Sequence, residues 1–202
     1  MSPKLSRIGV PMSSDLLTLF QAQMEQSPDS AARVKCGTRR AEYLALVAAT
    51  ATLLTSENGL WRQLPATIRE IFEHRGWAWN GIYVLKDHQL ELAAAAGPPV
   101  CHTLIQSGGV GTSGMCFDAL LLNQTQVSAD VKSWPGYVSC DGESGLATQA
   151  GLVCPIRGED GNPVAVWDLD CTQALEPEDA PFFDRLFQVL SLLLKPGPAK
   201  FL

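Results

Sequence analysis

Trp79-Asn80-Gly81-Ile82-Tyr83-Val84-Leu85, then Lys86-Asp87-His88, then Gln89-Leu90-Glu91-Leu92-Ala93-Ala94-Ala95 is the stretch that decides the fold class. Two runs suited to a pleated surface flank a short polar triplet, which predicts two strands joined by a hairpin turn. A second hairpin is expected downstream, from Gly151 to Ile156 and from Pro163 to Asp170, joined across Gly158-Glu159-Asp160-Gly161. Between the two hairpins lie a strand-like run from Val100 to Gln106, a glycine-rich stretch from Gly108 to Gly114, a short helix from Met115 to Leu122 ending at Asn123, and a strand starting at Gln126-Val127. The segment from Trp134 to Ala150 is long and irregular, and loops of that kind inside a compact domain are usually functional.

Helices bracket the strands. The segment from Arg40 to Thr55 is rich in Ala and Leu without Gly or Pro. A second helix is expected from Leu64 or Pro65 to His74, since proline suits a first helical turn, and Gly76 should end it. Glu176 to Asp179 opens a C-terminal helix with acids in its first turn and Phe182, Phe183, Leu186, Val189, Leu190 and Leu193 as its apolar stripe. Ser13-Ser14-Asp15 can cap a short helix through Phe20. The expectation is an α+β sandwich with an antiparallel sheet and helices packed on one side. Residues 1–39 are assigned to an N-terminal tail, 40–195 to the domain and 196–202 to a C-terminal tail.

A chain of 202 residues with 46% hydrophobic content supports one core. Its net charge of −6 argues against nucleic acid as a partner, because phosphate binding relies on clustered Lys and Arg. No apolar run reaches the roughly 20 residues that span a bilayer, and Met1 to Phe20 lacks a signal-peptide core, so no membrane association and a cytoplasmic location are expected. Six cysteines in such a compartment point to packing, metal binding or redox chemistry rather than to a disulfide framework. No C-x-x-C or H-x-x-x-H spacing occurs, and no metal is assigned.

The chemistry-bearing positions follow from strand alternation and loop placement. In Val164-Ala165-Val166-Trp167-Asp168-Leu169-Asp170-Cys171, alternation puts Asp168 and Asp170 on one face, roughly 7 Å apart. Such a pair can hold an ammonium group or retain one proton, unless it merely marks a solvent-facing strand end. Cys101, Cys116 and Cys140 fall at strand ends or in irregular segments, where reactive thiols have access, although a buried cysteine is the commoner case. Cys154 sits among Leu152, Val153 and Ile156 and suits the core, while Cys36 and Cys171 stay undecided. Trp79 and Tyr83 share a strand face with Gly81 between them, which leaves room above the glycine for a small ligand. Trp134 and Tyr137 flank the same segments.

The order Trp79-Asn80-Gly81-Ile82-Tyr83, Cys101, Gly114-Met115-Cys116, Asn123-Gln124-Thr125, Asp130-Val131, Pro135-Gly136, Ser139-Cys140-Asp141 and Asp168-Leu169-Asp170 resembles the GAF-type free methionine-(R)-sulfoxide reductases. The resemblance runs from Ala41 to Leu194. It implies a GAF fold, free methionine sulfoxide as substrate, no cofactor, and recycling by a thioredoxin-like reductant. It also implies that Cys140 attacks, Cys101 resolves and Cys116 is an auxiliary thiol, with Trp79, Tyr83, Asp168 and Asp170 lining the pocket. The chain departs from the family pattern by extra residues between Cys101 and Cys116 and between Cys140 and Pro155. It also has Ala150-Gly151 where the family carries a glutamate; Glu143 or Gln149 is the candidate to take that place, and Glu143 is assigned to the pocket. The other function class is a GAF ligand-binding or sensor module without catalysis. The sequence leaves a homodimer open.

Overall fold

Asp87 and His88 both adopt left-handed backbone, with φ of 46° and 66°, the conformation that a two-residue hairpin connection requires. Strand β1 (Trp77–Lys86) therefore folds back on β2 (Gln89–Ala96). The computed structural model describes residues 13–25, 40–55, 59–139 and 145–201. Within them, β3 (Thr103–Ile105), β4 (Gln126–Ser128), β5 (Ala150–Arg157) and β6 (Pro163–Cys171) complete a six-stranded sheet of order β3-β2-β1-β6-β5-β4. Every neighbouring pair is antiparallel.

On one face of this sheet, helices α1 (Ser13–Glu25) and α2 (Arg40–Thr55) pack over α3 (Leu60–Phe72) and α5 (Asp179–Leu194), which lie against the strands. The core there is strongly aromatic. Trp167 stacks on Phe183 at 4.7 Å and Phe72 on Trp77 at 4.3 Å between ring centroids, geometries that add to the area they bury. The short helix α4 (Gly114–Leu122) lies on the opposite face, where Cys116, Phe117 and Ala119 pack with Trp79, Tyr83, Val153 and Val166.

Which face each β1 residue takes is set by a bulge. Trp77 pairs with Cys171 and Trp79 with Asp170, so Ala78 is the extra residue. Trp77 consequently faces the helices together with Ile82 and Val84, whereas Trp79 and Tyr83 face α4.

Several element boundaries differ from the expectation, among them the C-terminal helix, which starts at Asp179 and not at Glu176. Helix α3 starts at Leu60, because Leu60, Trp61 and Leu64 all seat in the core and Gly59, in left-handed backbone, allows the turn before them. Pro65 thus lies inside the helix rather than in its first turn. The run from Val100 to Gln106 contributes only β3. Helix α1 continues to Glu25 and buries Phe20 and Met24, while Phe201, near the C-terminus, is buried against Trp61 with ring centroids 5.1 Å apart. No described helix is long and apolar enough to cross a membrane.

Candidate active site

The α4 face of the sheet is only partly covered, because α4 is short. Beside it a cavity of about 360 Å³ opens, lined by Cys101, Cys116, Tyr137, Thr148, Asp168 and Asp170 among others. Its floor comes from β6, where alternation presents Asp168 and Asp170 to the cavity and sends Trp167, Leu169 and Cys171 into the helix-side core. Its walls come from the segment after β2, from the glycine-rich run into α4, and from residues 131–138.

Two predicted thiols meet the two predicted carboxylates here. Cys116 is buried on the first turn of α4, and its Sγ donates to Asp168 Oδ2 at 3.2 Å. Burial pushes the Asp168 carboxyl up to about 6, offset in part by the hydrogen bonds from the Cys116 thiol and the Leu169 backbone. The first cause is desolvation. Cys101 is half-buried at the rim, and its carbonyl oxygen accepts the Tyr83 hydroxyl at 2.7 Å. Tyr83 therefore fixes the backbone of a cavity residue from below.

Trp79 and Tyr83 sit differently from expectation. Both are about 1% exposed, and neither lines the cavity. The space above Gly81 is filled by the indole of Trp79, whose Cη2 would lie 2.6 Å from a Cβ at that position. The glycine makes room for the neighbouring tryptophan and not for a ligand.

Cys140, Glu143 and Cys36 lie outside the described residues. Cys154 and Cys171 are buried in the helix-side core, and burial raises the Cys154 thiol well beyond the ordinary thiol range. These two are packing residues. Among the described residues no group of three or more His, Cys, Asp or Glu side chains could hold a metal ion.

Sequence reasoning missed Asp118, a buried carboxylate on α4. Its Oδ1 accepts the Gly111 backbone N–H at 2.7 Å and its Oδ2 accepts the Trp134 indole N–H at 2.8 Å. The available signal was a single charge inside the apolar run Met115-Cys116-Phe117-Asp118-Ala119-Leu120-Leu121-Leu122.

No family model matches the chain. A free methionine-R-sulfoxide reductase of Saccharomyces cerevisiae is 31% identical over 118 residues, covering 56% of this chain and 61% of the yeast protein. The match thus spans about three fifths of that relative's length. GAF domain-containing protein A of Dictyostelium discoideum is 29% identical over 158 residues, 78% of this chain and 93% of the relative. Among solved structures, the free methionine-R-sulfoxide reductase of Neisseria meningitidis in complex with its substrate superposes with a TM-score of 0.65. It has 24% identity and covers 78% of this chain and 91% of that one, a likeness that speaks for the fold. The chain is a GAF-fold protein that resembles, in sequence and in fold, the free methionine-R-sulfoxide reductases.

Proposed function

We propose that the chain reduces free methionine-(R)-sulfoxide by a thiol, sulfenic acid and disulfide cycle. The observation that carries this reading is the cavity in which Cys101 and Cys116 meet Asp168 and Asp170, with the Asp168 carboxyl pushed by burial up to about 6. The similarity to the yeast reductase supports the substrate class.

Reduction of a sulfoxide needs a sulfur nucleophile and a way to neutralise the charge that grows on oxygen as the S=O bond breaks. Cys140 is the proposed nucleophile. Its thiolate attacks the sulfoxide sulfur while Asp168 donates a hydrogen bond or its proton to the oxygen. The oxygen passes to the cysteine, so that methionine leaves and a sulfenic acid remains. A second thiol, Cys101 or Cys116, condenses with the sulfenic acid, which forms the S–S bond and releases the oxygen as water. An external dithiol, thioredoxin-like in the cell, then reduces that disulfide and is itself oxidised. The Cys116–Asp168 hydrogen bond gives the thiol a carboxylate to receive its proton as it becomes a nucleophile. Asp170 is the proposed partner of the substrate ammonium, which would favour a free amino acid over a peptide. Trp79 and Tyr83 act from beneath the site in this reading, and Glu143 is retained as a pocket residue.

The test is turnover. With dithiothreitol as reductant, the protein should convert free methionine-(R)-sulfoxide to methionine, and Cys140→Ser should abolish it. In a single turnover without reductant, peptide mapping should find a disulfide joining Cys140 to Cys101 or Cys116. Binding without turnover would favour a GAF ligand-binding module instead.

A further inference from the structure

Two of the cavity's three wall segments have little regular structure of their own. One is the glycine-rich run before α4, closed on itself by Ser107 Oγ to the Thr112 carbonyl at 2.9 Å and by Thr112 Oγ1 to the Gly109 carbonyl at 2.6 Å. The other is residues 131–138, a short 3₁₀ turn over Val131–Ser133 followed by a turn closed by Tyr137 N–H to the Trp134 carbonyl at 3.0 Å. They touch backbone to backbone. Gly136 has φ of 66°, and a Cβ there would lie 2.5 Å from the Thr112 carbonyl carbon. Such a contact brings dispersion but no hydrogen bond, and it would slide easily without a tie.

Asp118 supplies that tie. It is about 2% exposed, and its two oxygens are divided between the segments: Gly111 N–H on Oδ1 and the Trp134 indole N–H on Oδ2. Because α4 is packed on the sheet through Phe117 and Ala119, the carboxylate refers both segments to the sheet that carries Asp168 and Asp170. Ser113 and Gly114, two and three residues after Gly111, line the cavity, as do Tyr137 and Val138 beyond Trp134. We propose that Asp118 is a positioning residue of this cavity, a clasp that holds these two wall segments together and so sets the cavity's fit to substrate.

The kinetic consequence rests on the proposed reductase activity; the structural consequence does not, and one pair of variants reads both. Asp118→Asn keeps the shape but offers one oxygen and one NH₂ to two N–H donors, so one segment must lose its bond. Trp134→Phe removes the other donor and leaves the carboxylate in place. Purified full-length proteins are treated with iodoacetamide under native conditions, and alkylation of each cysteine is followed by mass spectrometry. Release of the clasp should speed alkylation of Cys116 about tenfold or more, while Cys154 and Cys171 in the helix-side core keep their wild-type rates, because local opening leaves a separate core closed. Unchanged Cys116, or all three thiols rising together, would overturn the clasp. If the wild type turns over methionine sulfoxide, both variants should raise KM several-fold with a smaller change in kcat, and the double variant should be no worse than the more severe single one. A KM that stays at the wild-type value, with only melting temperature lowered, would reduce Asp118 to a packing role. Failure of wild-type turnover would end the reductase reading and leave the alkylation result to decide the clasp.

Discussion

Asp168 shows how burial turns an ordinary residue into a candidate acid. On a solvated strand end it would ionise well below neutral pH, whereas against Cys116 beneath α4 it holds its proton up to about 6. If it donates to the departing oxygen, Asp168→Asn should lower kcat by about 10²- to 10⁴-fold, the range for a lost acid–base group. The wild-type profile should also show a limb that falls as pH rises through about 6 and that the variant lacks. The same shift has a stability consequence of defined sign. A carboxyl that binds its proton more tightly in the folded state contributes stability below its unfolded pKa and loses it as pH rises through the folded value. Asp168→Asn should therefore melt higher than wild type at pH 8, with the difference shrinking towards pH 4. Equal melting points at both pH values, with unaltered kcat, would remove Asp168 from the site.

At the scale of elements, the β1 and β6 pair is where the site is made. The bulge at Ala78 turns Trp79 onto the α4 face, and its indole then fills the space above Gly81, which stands opposite Asp168 in the register. Gly81→Ala would place a methyl group 2.6 Å from that ring. The ring has no easy retreat, because its Cδ1 is close to Gly97, where a Cβ would lie 2.8 Å away. Overpacking of this kind costs about 1–3 kcal/mol, which urea unfolding should show together with a changed near-ultraviolet circular dichroism signal from the displaced tryptophan. A neutral Gly81→Ala would mean that the ring over the glycine is loosely held. The hairpins and the long helices were legible in the sequence because the properties that specify them are local. The polar triplet after Leu85 marked the first turn, and the Ala- and Leu-rich run from Arg40 marked α2 to the residue. The start of α3 was not legible, since the burial of Leu60 and Trp61, and not a capping residue, puts the first turn there.

For the molecule as a whole, one aromatic core joins parts that sequence reading separated. Phe20 lies outside the domain drawn from composition, yet it is fully buried among residues of the helix-side core. Phe20→Ala should cost about 3–5 kcal/mol in urea unfolding, as a fully buried phenylalanine does, and a loss below about 0.5 kcal/mol would mark α1 as a loosely attached tail. By itself the sequence determined the fold class, the antiparallel hairpins and the shared face of Asp168 and Asp170, because strand alternation and turn chemistry act over a few residues. Only the tertiary structure decided that Cys101 and Cys116 come to one cavity with those acids, that Trp79 fills the space above Gly81, and that Asp118 ties Gly111 to Trp134. The first and last bring together separate segments of the chain, the second depends on the bulge that pairing with β6 sets at Ala78, and all three depend on how the sheet, α4 and the wall segments pack around each other, which no local pattern encodes.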